Sequence, residues 1–537
     1  MLSTPPDNPS YDFIIVGSGS AGSLLANRLS ADPKNSVLVL EAGGSDRGFW
    51  LHLPVGYFRS IYDKRFSRQF DTEPGVGTGG RNIVWPRGRV VGGSSSINGL
   101  IFIRGQQEDF DDWKNLGASG WGYRDVLPYF RRLESYAGGD DQFRGRLGEM
   151  GVSDLRNDDP SCRAWVAAAQ EYGLPFNRDF NAETTYGVGP YQLSIKGHWR
   201  SSSATAFLKP VLSRPNLTLL SRAHVTRVLF DGKIAKGVEW IKKGRVHETM
   251  AKRDIILAGG TLQSPQILQL SGVGPPDLLT EHGIEVVHDA PEVGNNLQDH
   301  YQMRSIVRLR ERDSLNDGIR NPFKLVQWGL QWLLNASGPL TVGAGQVGGS
   351  ACTKYAESGR PDIQFNVMPL SVDKPGTPLH PYSGFTASVW QCHPKSRGTV
   401  RIQSPDPFEQ PCIAPNYFNE EMDRNVILEG VKVLRQIYAQ PSFRDLWDTE
   451  VVPGSDIQSD EQIWDHIRHN GGTVFHCVGT CRMGGDSRSV VDTELRVRGV
   501  ENLRVIDASV MPKITSANTN APTLMIAEKG ANAILGN

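Results

Sequence analysis

A glycine-rich turn near the N-terminus has the spacing of a phosphate-binding site. The segment Gly17–Gly22 reads GSGSAG and directly follows an apolar run. In a G-x-G-x-x-G turn the first glycine permits the tight bend, the second lets the backbone approach a pyrophosphate, and the third lets a helix pack on the sheet. The positive N-terminus of that helix attracts phosphate groups. The residues of this segment that we predict to form the ligand-binding turn are Gly17, Gly19, Ser20, Ala21 and Gly22.

The elements around this turn are those that such a site needs. Tyr11–Val16 is an apolar strand candidate, Ala21–Leu29 a helix candidate and Val37–Leu40 a second strand candidate. Strand, turn, helix and strand together predict a βαβ unit in a parallel sheet. Glu41 ends the second strand, where a carboxylate accepts hydrogen bonds from ribose hydroxyls and argues against a 2′-phosphate. This unit alone does not distinguish FAD from NAD.

Composition limits the remaining possibilities. The chain has 537 residues, a net charge of −1 and 39% hydrophobic residues, so we predict a multidomain globular protein without a field that favours nucleic acid. No run of 18 apolar residues is present, which predicts no transmembrane segment. The opening MLSTPPDNPS resembles no secretion signal, and the six cysteines form no framework. We therefore expect a cytoplasmic protein with reduced thiols.

Four further segments carry a family resemblance. They are Arg87–Gly105 (RGRVVGGSSSINGLIFIRG), Gly259–Pro275 (GGTLQSPQILQLSGVGP), Val293–His300 (VGNNLQDH), and His476–Gly484 (HCVGTCRMG) followed by Val505–Lys529. In this order they closely resemble the glucose–methanol–choline (GMC) oxidoreductase family, from about residue 10 to the C-terminus. The resemblance is closest to its choline dehydrogenase-like and alcohol dehydrogenase-like branch. It implies FAD as cofactor and alcohols as substrates.

The resemblance also implies the domain organisation. We expect an α/β fold, α+β overall, with a Rossmann-like FAD-binding domain and a substrate domain built on an antiparallel sheet with helices. The FAD-binding domain is predicted to be discontinuous, over 10–157, 200–300 and 471–537. The substrate-binding domain takes 158–199 and 301–470. Strand candidates such as Ile363–Met368 and helix candidates such as Val426–Tyr438 fall in the latter.

Further cofactor contacts are implied by the family pattern. The Gly92–Ser96 turn offers N–H groups and hydroxyls, and Ile97 lacks a nucleophile, so we predict noncovalent FAD. Val225 could instead be strand core, and Asp507 a helix cap. The additional cofactor residues implied are Arg87, Gly92, Gly93, Ser94, Asn98, Gly99, Val225, Asp507, Ala508, Asn518 and Asn520.

Oxidising an alcohol requires a base for the hydroxyl proton and an acceptor for the hydride. The resemblance places His476 as the base and Asn520, 44 residues later, as its partner. An amide orients an oxygen but cannot carry the proton, which leaves the histidine as the base. Alternatively, His476 is a satisfied core residue and Asn520 a turn residue. Cys477 and Cys481 would add only two ligands to His476, so we predict no metal site.

Three residues bear on the substrate. Gln302 stands where choline-oxidising relatives carry a glutamate, so the ion pair with a trimethylammonium group is missing. Phe475 adds an aromatic side chain, and Gly99 is expected to leave space beside the flavin. We therefore predict a neutral primary alcohol that is aliphatic, benzylic or furanic. The alternatives are a choline-type dehydrogenase, a non-oxidising relative (a hydroxynitrile lyase or fatty-acid photodecarboxylase), a nonenzymatic flavoprotein and an NAD-linked dehydrogenase.

The sequence leaves the electron acceptor open between O2 and a quinone-type carrier, with a slight preference for a dehydrogenase. A quinone acceptor would imply peripheral membrane association. The Lys324–Leu334 stretch (KLVQWGLQWLL) is amphipathic and could serve this role, or could be a substrate-domain helix packed on the core. An oligomer is possible.

Overall fold

Two sheets organise the chain in a computed structural model that describes residues 10–311, 314–374 and 376–536. In the first sheet a parallel core is extended on one edge by an antiparallel hairpin. The central strand Ser10–Val16 pairs in parallel with Val37–Glu41 on one side and with Arg245–Leu257 on the other. In spatial order its strands are Leu217–Ser221, Val37–Glu41, Ser10–Val16, Arg245–Leu257, Ile234–Lys242 and His224–Asp231, with Leu503–Val505 also paired to Arg245–Leu257.

The second sheet is antiparallel throughout. Ile363–Met368 and Gly384–Gln391 are buried along their whole length, because helices and the rest of the protein cover both faces. In spatial order the strands are Val347–Ala351, Ile363–Met368, Gly384–Gln391, Tyr301–Leu309 and Trp447–Val452, with Gly472–Thr473 also paired to Tyr301–Leu309.

Helices cover both sheets. Ser20–Leu29 packs against the C-terminal helix, and Glu421–Tyr438 packs on the second sheet. The helices of eight or more residues are Ser20–Leu29, Gln107–Asn115, Tyr123–Leu133, Pro160–Glu171, Gly260–Leu270, Pro322–Asn335, Glu421–Tyr438, Asp460–Asn470 and Asn520–Leu535. Shorter helices include Phe49–His52, Tyr57–Ser60 and Leu315–Gly318.

These elements confirm the predicted fold class: a Rossmann-like α/β sheet accompanied by an antiparallel sheet with helices. The first sheet gathers strands from three separate parts of the chain, ending with Leu503–Val505. We propose that the domains follow the boundaries predicted from the sequence, with 10–157, 200–300 and 471–537 around the first sheet.

The helix Pro322–Asn335 has no buried residue, so it is not the core-packed helix considered above. Its apolar side chains Phe323, Val326, Leu330, Leu333 and Leu334 are between 52% and 87% exposed. They recur at helical spacing and form one stripe directed away from the protein. Among the described residues, no helix combines the length and apolarity that crossing a membrane would require.

Candidate active site

One large cavity lies between the two sheets and contains about 2200 Å³ of empty space, counted out to its opening. The carboxyl ends of parallel strands contribute Val16 and Glu41, where α/β sheets bind nucleotides. The second sheet contributes Gln302, Arg304 and Asn366 from the opposite side. Residues far apart in sequence thus form a single lining.

Most of the predicted site residues line this cavity. Gly22 and Gly92 do not, although both lie in the two glycine turns. A Cβ on Gly22 would lie 1.9 Å from the carbonyl oxygen of Gly17, and Gly92 adopts φ +90° in the turn. The predicted residues that do line the cavity are Gly17, Gly19, Ser20, Ala21, Glu41, Arg87, Gly93, Ser94, Asn98, Gly99, Val225, Gln302, Phe475, His476, Asp507, Ala508, Asn518 and Asn520.

The two glycine turns meet at the cavity floor. A Cβ on Gly93, which has φ +53°, would lie 2.7 Å from the Cα of Gly19. Only glycine permits both this approach and this backbone conformation. The contact brings N–H groups of two sequence-distant turns to one place, beside the N-terminus of Ser20–Leu29, as binding of a pyrophosphate requires.

Two buried carboxylates organise the backbone around the cavity. Glu41 accepts hydrogen bonds from the N–H and hydroxyl of Ser18 and from the N–H of Gly43, at 2.7–2.9 Å. Burial raises the pKa of Glu41, although these donors act in the opposite direction. Asp507 accepts from the N–H groups of Gly260 and Ser509, so it is a cap and lines the cavity as well.

His476 is held from three directions. Its backbone N–H donates to Asp299 Oδ1 at 2.8 Å, its Nδ1 lies 3.0 Å from Nδ1 of His300, and its Nε2 lies 3.0 Å from Nδ2 of Asn518. The residue is only 7% exposed. Asp299 is itself fixed by the hydroxyls of Thr473 and Tyr417.

These contacts define which ring nitrogen carries a proton. His300 Nε2 lies 3.0 Å from the carbonyl oxygen of Cys392, which can only accept, so this nitrogen must be protonated. The Nδ1 of neutral His300 is therefore an acceptor, and His476 Nδ1 must donate to it. The lone pair of His476 consequently lies on Nε2, next to Asn518 in the cavity wall.

Burial keeps both imidazoles neutral near pH 7. It lowers the pKa of His300 to about 4. Burial also lowers the pKa of His476 well below its usual value, and the proximity of the His300 ring and of the Arg87 guanidinium acts in the same direction. Burial raises the pKa of the Asp299 carboxyl to about 6, against the hydrogen bonds that it accepts. A neutral imidazole with its lone pair on Nε2 has the form of a general base, and in this structure that lone pair accepts a hydrogen bond from Asn518 Nδ2.

The partner of His476 differs from the prediction. Asn520 was expected beside the imidazole, but its Oδ1 accepts a hydrogen bond from the Ser20 hydroxyl at 2.7 Å. Asn520 begins the C-terminal helix, and two residues before it Asn518 contacts Nε2. Asn518 Oδ1 is buried without a partner among the described residues, so it can accept a further hydrogen bond in the cavity.

The predicted substrate contacts also line the cavity. Phe475 adopts φ +68°, and its carbonyl oxygen accepts a hydrogen bond from Arg87 at 2.8 Å. Gln302 Nε2 donates to the carbonyl oxygen of Thr473 at 3.2 Å. The expected space beside Gly99 is filled, because a Cβ there would lie 2.2 Å from that of Ala344.

Three polar residues of the site were missed by the sequence analysis. His300 belongs to the NLQDH segment, and its even spacing from Gln302 places both on one face of an extended chain. That spacing could have identified it. Arg304 and Asn366 carry no comparable signal, because only the pairing of the strands brings them to the cavity.

The two cysteines next to His476 do not have the features of a nucleophile. Cys477 and Cys481 are buried free thiols, and burial raises the pKa of both. Within residues 10–311, 314–374 and 376–536, no group of three or more His, Cys, Asp or Glu side chains is arranged to hold a metal ion.

A Rossmann-like sheet, paired glycine turns and a buried imidazole at one cavity define a dinucleotide-dependent oxidoreductase. The GMC oxidoreductase N-terminal profile matches residues 11–302 and the C-terminal profile residues 394–527. The chain therefore belongs to the GMC oxidoreductase family.

Individual relatives extend over nearly the whole chain. An alcohol dehydrogenase [acceptor] of Pseudomonas putida is 41% identical over 533 residues, covering 98% of this chain and 96% of the relative. An oxygen-dependent choline dehydrogenase of Brucella anthropi is 40% identical, covering 98% and 95%. The crystal structure of pyridoxine 4-oxidase from Mesorbium loti superposes with a TM-score of 0.88 at 30% identity, covering 98% and 99%.

The cofactor is FAD, and the enzyme oxidises CH–OH groups of alcohols, as family membership establishes. The cavity fits this cofactor: the contact of Gly93 with Gly19 leaves N–H groups that would hold a pyrophosphate, and Glu41 lines the cavity at the end of its strand, where it would face a ribose. Ile97 lines the cavity with an apolar side chain that can form no covalent bond to a flavin, as noncovalent binding requires.

Proposed function

We propose that this protein oxidises a primary alcohol to the aldehyde, with His476 Nε2 accepting the hydroxyl proton. The observation that carries the proposal is the chain of contacts from Cys392 through His300 to His476, which leaves the lone pair on Nε2. An unactivated alcohol is a very weak acid, so removal of its proton by a positioned imidazole contributes about 10²–10⁴-fold to the rate.

The residues divide the work as follows. The substrate hydroxyl takes the place of Asn518 Nδ2 as the donor to His476 Nε2, and the Asn518 amide then donates to the substrate oxygen. His300 Nδ1 accepts the hydrogen bond from the Nδ1–H of His476 and so keeps the ring in this tautomer. The backbone contact to Asp299 fixes the ring's position. FAD, when bound, supplies the acceptor for the hydride. Asn520 and Ser20 belong to the cofactor side of the cavity in this proposal.

The proposed substrate has an aliphatic, benzylic or furanic body without a positive charge. Gln302 supplies no carboxylate for a cationic group, and Phe475 offers an aromatic surface. Arg304 adds a positive charge to the same wall, which also disfavours choline. The neutral primary alcohol predicted from the sequence stays a prediction.

Anaerobic stopped-flow spectroscopy with a panel of alcohols tests this function. We expect primary alcohols to bleach the oxidised flavin band. Mixing the reduced enzyme with O2 or with a soluble quinone then identifies which of the two is the electron acceptor. A flavoprotein that no alcohol reduces would contradict the proposal, and aldehyde release from a cyanohydrin or decarboxylation of palmitate under light would replace it.

The role of His476 is tested with His476→Ala and a matched control, His469→Ala. His469 is exposed and does not line the cavity. We expect His476→Ala to retain FAD but to be reduced at least about 10²-fold more slowly, following loss of the base. The control should be reduced at the wild-type rate. Equal rates for His476→Ala and wild type would exclude His476 as the base.

We also propose that the helix Pro322–Asn335 docks on an anionic lipid surface. Its outward stripe carries Phe323, Val326 and Leu330, and no acidic residue occurs from Gly318 through Ala356. Arg320 and Lys324 lie at the start of the helix. Apolar side chains beside such cationic ones are typical of helices lying in a membrane interface.

A second exposed aromatic group continues this surface. Trp199, 42% exposed, packs edge-on against Trp332 of the helix and also against Phe49. Trp50 lies beneath the guanidinium of Arg59 at 4.1 Å. Aromatic residues flanked by arginine fit the boundary between headgroups and acyl chains.

Cosedimentation with vesicles tests this docking. We expect binding to vesicles of phosphatidylcholine with phosphatidylglycerol, weaker binding to phosphatidylcholine alone, and loss of binding in the Phe323→Ser, Leu330→Ser variant. Leu147→Ser is the control, because Leu147 is 98% exposed elsewhere. Absence of vesicle binding together with a concentration-dependent dimer would instead assign the stripe to a second copy of the chain.

A further inference from the structure

Arg304 places an uncompensated positive charge in the wall of the cavity. Its Nη1 donates to the backbone carbonyl oxygen of Asp373 at 3.2 Å. Among the described residues no carboxylate forms an ion pair with its guanidinium. The nearby carboxylate of Asp373 is 84% exposed and contacts His380 instead.

Arg304 is half-buried, and a partly desolvated cation without an anion beside it is costly. Enclosed charges in proteins are normally paired, because desolvation costs far more than one neutral hydrogen bond returns. Burial lowers the pKa of Arg304, and the groups that act against this are the phenols of Tyr62 and Tyr57 rather than a carboxylate. The guanidinium therefore has unused capacity for an anion, and its planar fork matches a carboxylate.

The strand that carries Arg304 also relates it to the base. His300 contacts His476, and Gln302 and Arg304 follow at steps of two residues along Tyr301–Leu309. Residues two apart point to the same face and are roughly 6.6 Å apart. Arg304 thus lies one such step beyond Gln302, on the side of the cavity away from the imidazole pair.

A second polar residue lies in the same row of the sheet. Arg304 pairs with Ser388, which in turn pairs with Asn366. Asn366 lines the cavity, and its side-chain Oδ1 is buried without a partner among the described residues. Rotation of this amide by half a turn would present its NH2 group to the same anion.

Apolar side chains line the wall beside this row. Phe58, Met368 and Val372 are part of the cavity lining. They pack in one cluster with Leu370 and with Leu315. The cavity lining thus combines the proposed base His476, an apolar surface and the positive charge of Arg304.

We propose that Arg304, with Asn366 beside it, binds a carboxylate on the alcohol substrate. The preferred substrates are then primary alcohols with an apolar body and a carboxylate at the far end, such as hydroxymethyl-substituted aromatic acids and ω-hydroxy acids. This inference rests on the proposed oxidation at His476, whose chemistry it leaves unchanged. It specifies an anionic group at the opposite end of the substrate and so departs from the neutral alcohol that the sequence predicted.

Matched substrates measure the contribution of the charge. We compare kcat/KM for 4-(hydroxymethyl)benzoate and 4-(hydroxymethyl)benzamide, together with an ω-hydroxy acid series and its amides. We expect the wild-type enzyme to prefer the acids by about 10- to 100-fold, the range for one charge-assisted hydrogen-bonded pair. Arg304→Gln should abolish this preference while oxidation of the amides persists, and Arg304→Lys should retain part of it.

Arg308→Gln is the control variant. Arg308 lies on the same strand, is exposed and lies outside the cavity lining, so this substitution removes the same charge without touching the site. It should keep the wild-type preference for acids. A similar loss in Arg308→Gln would indicate general electrostatic attraction rather than a bound carboxylate.

Binding without turnover separates this inference from the proposed function. 4-Methylbenzoate lacks the hydroxyl, and calorimetry should show it binding the wild-type holoenzyme about 10-fold or more tightly than Arg304→Gln. Equal binding by both proteins, or equal kcat/KM for acids and amides in the wild type, would overturn the carboxylate site while alcohol oxidation stands. If the wild type binds 4-methylbenzoate more tightly than Arg304→Gln but no alcohol reduces its flavin, the carboxylate site stands and the proposed alcohol oxidation falls.

Discussion

Replacing His300 with leucine should slow alcohol oxidation although His300 lies behind the base. In the wild type His476 Nδ1 donates to His300 Nδ1 at 3.0 Å, inside the protein. Leucine removes this acceptor, so the proton on Nδ1 is left unsatisfied in the tautomer that acts as a base. An unsatisfied buried donor costs about 1–3 kcal/mol.

That cost sets the size of the effect. Each 1.36 kcal/mol corresponds to about tenfold in a population or a rate, so the base-competent tautomer should become about 5- to 150-fold less favourable. We therefore expect flavin reduction by saturating alcohol in anaerobic stopped-flow to slow by this factor. The substrate dissociation constant should change little, because His300 has no contact with the substrate in the proposed mechanism.

A conservative variant distinguishes positioning from loss of structure. In His300→Gln the amide can donate to the carbonyl oxygen of Cys392 and accept from His476, so reduction should recover by at least about half of the lost free energy of activation. FAD content and melting temperature should be measured for both variants. Reduction of His300→Leu at the wild-type rate, with FAD bound, would refute the tautomer argument.

Three further results are expected. Asn518→Ala should slow flavin reduction by about 10-fold or more, because it loses a hydrogen bond to the reacting oxygen. Asn520→Ala should mainly lower the FAD content. If Asn520→Ala instead slows reduction more than Asn518→Ala, Asn520 is the partner of His476, as the sequence predicted. Gly93→Ala should lose FAD, because its Cβ would lie 2.7 Å from a backbone carbon, while Gly244→Ala, with φ +75° and open space, should keep it; absorbance at the flavin band decides. The pKa of His300 in the folded protein, about 4, lies below its ordinary 6.5, so between these pH values the unfolded state binds more protons than the folded state. The free energy of unfolding of the wild type should therefore fall by about 3 kcal/mol more than that of His300→Leu as the pH drops from 6.5 to 4. Equal shifts of the urea midpoint between about pH 7 and about pH 4.5 in both proteins would contradict this.

Local patterns in the sequence were sufficient for the cofactor half of the site. The strand Ser10–Val16 and helix Ser20–Leu29 form nearly where the apolar run and the glycine turn predicted them. The role of Gly22 also follows from the motif, because helix–strand packing depends on residues a few positions apart. Such interactions involve residues close together in sequence, so a local motif is sufficient to predict them.

Only the tertiary structure decided which side chains complete the other half. The spacing of 42 or 44 residues from His476 could not tell Asn518 from Asn520, because a turn at a helix start sends neighbouring side chains in different directions. Arg304 and Asn366 come to lie in one row, on either side of Ser388, through the register of three strands. Strand pairing joins segments far apart in sequence, and no local pattern records which residues it brings to one row.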